Sequence, residues 1–251
     1  MKNYEMIITV AVLTLILIAG SAFSQEFTAV EILKKVDSVV NAPKDVYSTT
    51  RTVLIDKDKS EKARESEMFQ KGSDKRLIRF ISPADQKGIG FLSLPDDVQY
   101  LYLPAFHKMR RIASSVKNTG FAGTDFSYDD LSTFEYSKEY NPSLIETSDA
   151  SYVLELTPKP GVKKDYSKLK MWVKKDNFYP VKTESYDKKG ALWKIMERRR
   201  IEEVGNYWIS KELEMKDLKA NHSTKMIVNK IEFDTGLSDD IFTPRYLSRS
   251  S

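Results

Sequence analysis

Hydrophobic and polar positions change their period once along this chain. Residues 27–40, "FTAVEILKKVDSVV", place Val30, Leu33, Val36 or Asp37, and Val40 at helical spacing, with Thr28 where a cap belongs. "NAPKD" ends that helix. Alternation then takes over, in runs separated by Gly, Pro, Asn and Asp. The runs predict strands over 46–56, 63–71, 75–81, 88–94, 98–103, 108–112, 144–148, 151–157, 168–175, 179–187, 191–201, 206–217 and 224–234. In "YWISKELEM", Tyr207, Ile209, Leu213 and Met215 fall on one face, and Ser210, Glu212 and Glu214 on the other. In "KMIVNKIEF", Ile227, Ile231 and Phe233 share a face that Asn229 interrupts. Such patterning predicts an antiparallel sheet with one wet side.

"GFLSLPDDVQYLYLP" departs from that rule. Val98, Tyr100 and Tyr102 occupy one face, Leu101 and Leu103 the other, and both faces are apolar or aromatic. A strand of this kind has apolar material on each side, whether a second sheet, a helix or a lipid. Residues 113–127, "ASSVKNTGFAGTDFS", form the longest stretch without a period, and loops of that length in compact domains are commonly functional. The end, "LSDDIFTPRYLSRS", predicts a short helical turn capped by Ser238, with Phe242, Tyr246 and Leu247 tucked inward.

The first residues carry a different signal. Lys2 precedes an apolar run from Met6 to Ala19, and Ala22-Phe23-Ser24 supplies the small residues of a cleavage site. This is the layout of a secretory leader over residues 1–24, cut between Ser24 and Gln25. The run falls short of the roughly 20 residues a spanning helix needs. A periplasmic or otherwise extracytoplasmic location follows, with residues 25–251 as a single domain. The chain has no cysteine, so neither a lipid-modified cysteine nor a disulfide is available. The net charge of +4 permits contact with anionic head groups, but no aromatic-basic motif argues for nucleic acid.

Catalytic parts are scarce. Without cysteine there is no thiol nucleophile or thiolate metal site. His107 and His222 lack flanking ligands at metal spacing, and there is no G-x-S-x-G elbow or phosphate-cradling glycine loop. The acids Asp125, Asp129, Asp130 and Glu135 fit neither a calcium loop nor a glycosidase pair by spacing. They read better as partners of a short helix near "YDDLSTF", capped by Ser127 or Asp129, with Arg110 and Arg111 as candidate ion-pair partners. Lys108 and Arg110 share one strand face with Arg111 opposite; Arg198 and Arg200 share a face with Arg199 opposite. Runs like these are usually solvated faces, but they would also suit a basic rim around an apolar cavity that receives anionic lipid. The expectation is a protein that is not an enzyme and holds no metal or cofactor.

"LYLPAFHKMRRIASSVKNTGFAGTDFSYDDL" closely resembles the signature of the outer-membrane lipoprotein-sorting protein family, a LolA-like group of bacterial periplasmic proteins. "EILKKVDSV", "RFISPADQKGIGFLSLP", "YSKLKMWVKKDNFYPVKTESYDKKG", "ISKELEMKDL" and "LSDDIFTPRYL" resemble other parts of the family, so the likeness runs over residues 26–247. Ala122 departs from it, in a place where a bulkier residue such as methionine is expected. The resemblance implies a mainly β (α+β) fold, a curved, incomplete antiparallel β-barrel of about 11 strands closed by helices. It implies an apolar interior that accepts acyl chains of lipids or lipoproteins for transport toward the outer membrane. An inner-membrane transporter and an outer-membrane acceptor are then the possible partners. The expected lining is Phe91, Tyr100, Tyr102, Trp172, Met196 and Trp208, with Phe121 and Phe126 as a lid and Lys108, Arg110 and Arg111 as the basic rim. The alternative is an accessory module that docks on a membrane transporter and binds lipid weakly or not at all.

Overall fold

Thr28 N donates to Glu31 Oε2 at 2.8 Å, and Glu31 N donates back to Thr28 Oγ1 at 3.3 Å. This capping box satisfies two orphan donors and starts helix α1, Ala29–Val40. The computed structural model describes residues 26–117, 119–132 and 135–249; the leader read over residues 1–24 lies outside them. The buried stripe of α1 is Ile32, Leu33, Val36 and Asp37, while Val30 and Val40 of the expected stripe are exposed. The helix is turned this way because Ile32, Leu33 and Val36 join a cluster with Leu154, Leu156, Met171 and Val173.

Six strands follow: β1 (Asp45–Ile55), β2 (Glu61–Lys71), β3 (Lys75–Ser82), β4 (Gly90–Leu94), β5 (Val98–Leu103) and β6 (Lys108–Arg111). Two short helical turns, α2 (Tyr128–Leu131) and α3 (Tyr136–Glu139), lead to seven more. These are β7 (Tyr140–Thr147), β8 (Ser151–Pro158), β9 (Lys168–Lys174), β10 (Pro180–Tyr186), β11 (Leu192–Val204), β12 (Tyr207–Asp217) and β13 (His222–Phe233), and α4 (Pro244–Leu247) ends the fold.

All strands form one antiparallel sheet in the order β6-β5-β4-β3-β2-β1-β13-β12-β11-β10-β9-β8-β7. Each half is a meander, and the β1–β13 ladder joins the halves. The sheet has 13 strands, not the expected 11 or so, in agreement with the number of alternating runs. It is not closed: β6 and β7 are free edges, and the helices are too few and short to close it. The joint at β1 is tied by Asp45, which is buried and accepts from Thr235 N (2.8 Å), Gly236 N (2.9 Å) and Leu237 N (3.2 Å). Asp37 does the same for α3, accepting from Tyr136 N and Ser137 N at 2.7 and 2.8 Å.

Strand β5 shows why both its faces are apolar. Leu101 packs against Ile78, Phe80 and Phe91 on one side of the sheet. Tyr100 and Tyr102 pack on the other side against Phe242 and Leu247 of the C-terminal segment. Gly90 lets that segment sit close, since a Cβ there would lie 2.5 Å from Leu247 Cδ1. The second layer on this side is therefore the chain's own C-terminus.

A register shift between Thr49 and Thr50 skips Asn229 on β13. The bulge reverses the side-chain parity of β13 midway. Met226 and Val228, not Ile227, thus share a side with Ile231 and Phe233. The loop at 113–127 is also more ordered than its sequence suggests. It makes 3-10 turns at Ser114–Val116 and Phe121–Gly123, a bridge between Gly120 and Ser127, and buries Phe121 and Phe126.

Candidate functional site

The inner side of β3, β2, β1, β13, β12, β11, β10 and β9 surrounds a cavity of about 330 Å³. Alternation supplies its walls: Ile78, Met68, Val46, Val228, Ile231, Leu213, Met215 and Met196 each stand on the inner face of their strand. Small hydroxyl side chains, Ser48, Thr50 and Ser66, form a polar strip on β1 and β2. Phe126, Leu131 and Tyr136 from the connection between β6 and β7, with Tyr140 at the start of β7, cover the space.

Two arginines face this cavity. Arg76 is bound on all three of its nitrogens by the protein. Its Nε and Nη2 donate to Gln70 Oε1 at 3.2 and 2.6 Å, and its Nη1 donates to Leu131 O at 2.9 Å. Burial pulls its pKa down to about 10. Arg198 differs: its Nη1 is buried and has no hydrogen-bond partner among the described residues. Burial pushes the nearby Tyr179 hydroxyl up, and the charge of Arg198 opposes that shift. The Tyr179 hydroxyl accepts from Ser210 N at 3.0 Å.

At the far end of the cavity the acids are already engaged. Of the two caps the sequence offers, Ser127 is the one used: it caps α2 in a capping box with Asp130. Tyr166 donates to Asp130 at 3.1 Å, and Lys194 lies 3.6 Å from it. Asp129 pairs with Lys164 at 3.0 Å, and Lys164 pairs with Glu139 at 2.7 Å. Burial raises the Asp129 pKa more than Lys164 lowers it. These partners replace the expected Arg110 and Arg111, which stand on β6 across the sheet's free edge. Asp125 accepts from Thr224 Oγ1 at 2.6 Å and lies 2.7 Å from His222 Nδ1. This clasp holds the 121–127 segment onto β13. No group of three potential metal ligands occurs among the described residues, and no helix among them is long and apolar enough to cross a membrane.

The residues expected at the site divide by location. Phe126, Met196 and Trp208 line the cavity. Phe121 is buried beside it, stacked on Phe80 at 5.3 Å, and belongs to the packed interior instead of a lid. Phe91 is wholly buried in the same aromatic cluster. Tyr100 and Tyr102 are on the opposite side of the sheet, under the C-terminal segment. Trp172 faces outward, with the Lys170 and Lys182 ammonium groups 4.8 and 4.4 Å from its ring centroid. It points out because Leu169, Met171 and Val173 take the inner positions of β9. Lys108, Arg110 and Arg111 are exposed on β6 and do not rim the cavity; four basic-rich residues on a short edge strand discourage further strand pairing. Arg76 and Arg198 escape a reading by composition because strand charges are ordinarily solvated. In "KRLIRFIS" the alternation of Arg76, Ile78 and Phe80 was the available clue.

Arg76→Met is expected to destabilise the protein by about 2 kcal/mol, because Leu131 O and Gln70 Oε1 lose a charged donor while remaining buried. Chemical denaturation measures it. A loss below a few tenths of a kcal/mol would show that the guanidinium does not hold the cover in place.

A family model described as "uncharacterized protein" matches residues 72–249, and no curated protein matches. Among solved structures, an outer membrane lipoprotein-sorting protein domain from Vibrio parahaemolyticus is 30% identical, with a TM-score of 0.80 over 88% of this chain and 98% of that one. A DUF1329 family protein from Desulfovibrio piger is 28% identical, with a TM-score of 0.82 over 87% and 97% of the two chains. A LolA superfamily protein from Nitrosomonas europaea shares the fold at a TM-score of 0.74, 22% identity, and 88% and 100% coverage. The chain belongs to the outer-membrane lipoprotein-sorting protein family and has the LolA-like fold.

Proposed function

We propose that this protein binds acyl chains of a lipid or lipoprotein in the cavity and carries them through the periplasm toward the outer membrane. The observation that carries this reading is the cavity itself, about 330 Å³ of mainly apolar space on the inner face of the sheet. An acyl chain in water costs roughly 0.8 kcal/mol per methylene, and transfer into such a lining removes that cost. A carrier must also release its cargo, so the cover over the cavity has to open on demand. The segment that carries α2 and α3 is the candidate for that role: both helices are single turns, held by the Arg76–Leu131 bond, by Asp37 and by burial of Tyr128 and Leu131. Release from a cleaved leader after Ser24 accounts for a periplasmic location.

A second reading draws on β6. Phe106 is 66% exposed beside Lys108, Arg110 and Arg111 on a free sheet edge. That surface suits a module docking on a membrane transporter. Native mass spectrometry of the mature protein purified from a bacterial periplasm, followed by lipid extraction, separates the two. A stoichiometric lipid or lipopeptide adduct is expected. A clean apo mass with no uptake of added lipid would transfer the assignment to the docking module.

A further inference from the structure

We propose that Arg198 and Thr183 form an oxyanion subsite inside the cavity, and that the ligand is a single-chain amphiphile with a carboxylate head. This rests on the acyl-binding reading above and goes further by naming the head group and the number of chains.

Two polar atoms in the cavity wall lack partners among the described residues: Arg198 Nη1 and Thr183 Oγ1, both buried. They are neighbours by register. Thr183 of β10 lies opposite Met196 of β11, and Arg198 is two residues further along β11. Such a diagonal pair is separated by roughly 7–8 Å at the backbone, within reach of an arginine side chain. Thr183 is only 3% exposed, so solvent does not serve its hydroxyl freely. Arg198 is half-buried with its Nη1 shut off from solvent, and buried donors are nearly always satisfied in native proteins.

Among the described residues no carboxylate lies within ion-pair distance of Arg198. The acids that do face the cavity, Asp129 and Asp130, are bound to Lys164, Lys194 and Tyr166. Lys194 is four residues before Arg198 on the same strand face, which sets the acidic end roughly 13 Å away. Arg76, on the opposite wall, has its donors occupied by Gln70 and Leu131. Arg198 is thus the cation whose guanidinium fork is open to a planar oxyanion, and a carboxylate fits that fork with two parallel bonds.

The position also orients the chain. β12 pairs with β13 only from Glu212 onward, so the sheet parts beyond that point, next to Leu213, the partner of Arg198 across the β11–β12 ladder. Trp208 and Ser210 stand on one side of the parting and Val228 and Ile231 on the other. A head group at Arg198 therefore sits near the parting, with the acyl chain running inward past Met196, Met215 and Phe126. A volume of about 330 Å³ is at the lower end for ligand pockets. It suits one chain better than two or three.

The test is calorimetric binding of palmitate and of hexadecanol, which share the chain and differ in the head, to the full mature protein. Wild type is expected to bind palmitate about tenfold or more tightly than hexadecanol. Arg198→Met is expected to bind both with the wild-type affinity for hexadecanol, and Thr183→Val to lose part of the preference. Equal wild-type affinities for the two probes, or a preference that survives in Arg198→Met, would overturn the subsite while leaving chain binding intact. Binding of neither probe by wild type would instead remove the acyl-carrier reading and this inference with it. Should Arg198→Met not fold, Arg198→Lys replaces it: the lysine point charge should weaken the preference at least about threefold, and an unchanged preference counts against the proposal.

Discussion

Phe121→Ala is expected to cost about 3–5 kcal/mol of stability. Phe121 is 2% exposed and touches three other rings: Phe80 at 5.3 Å, Phe91 at 6.0 Å and Tyr128 at 5.8 Å between centroids. Its removal deletes a large apolar area and leaves a hole whose walls are strands β3 and β4, which cannot collapse into it. Whole domains are stable by only about 5–15 kcal/mol, so much of the margin would go. Urea unfolding should show a lower midpoint with an unchanged slope. A loss under about 1 kcal/mol would mean that the 121–127 segment is a loosely held flap and not a part of the core.

Leu213→Trp is expected to abolish most acyl-chain binding while leaving the fold intact. Leu213 stands on the inner face of β12 between Arg198 of β11 and Met226 of β13, and its side chain borders the open volume. An indole there would extend into empty space, not into packed atoms, so overpacking strain is small. If it displaces about three methylenes of a bound chain, the loss is about 2.4 kcal/mol, or roughly 50-fold in affinity. Binding of a fluorescent fatty acid, read beside a thermal melt, decides the matter. Unchanged affinity in a folded variant would place the bound chain somewhere other than this cavity.

Much of the fold is legible in the sequence. Alternation locates 13 strands, Thr28 marks the start of α1, and Ser238 and one of Ser127 and Asp129 stand where caps belong. These are local features, set by periodicity and by side-chain bonds over three residues. The site was less readable. Of the eight residues expected to bind lipid, six as lining and two as a lid, Phe126, Met196 and Trp208 border the cavity. An aromatic in a strand is equally at home in a core, under a terminal segment or beneath a lysine stem, and Phe91, Tyr102 and Trp172 took those three places. Arg198 is the reverse case: a residue that looks solvated within "ERRR" but turns inward by strand parity.

By itself the sequence determined the antiparallel β class, the family and the scarcity of catalytic chemistry. Periodicity, motif and residue inventory survive without knowledge of partners in space. Only the tertiary structure decided which face of each strand turns to the cavity. One skipped residue at Asn229 exchanges the two faces of β13, and the C-terminal segment covers the Tyr100–Tyr102 face of β5 so that the cavity forms on the other. Both choices depend on contacts more than a hundred residues apart in the chain, and no local pattern records them.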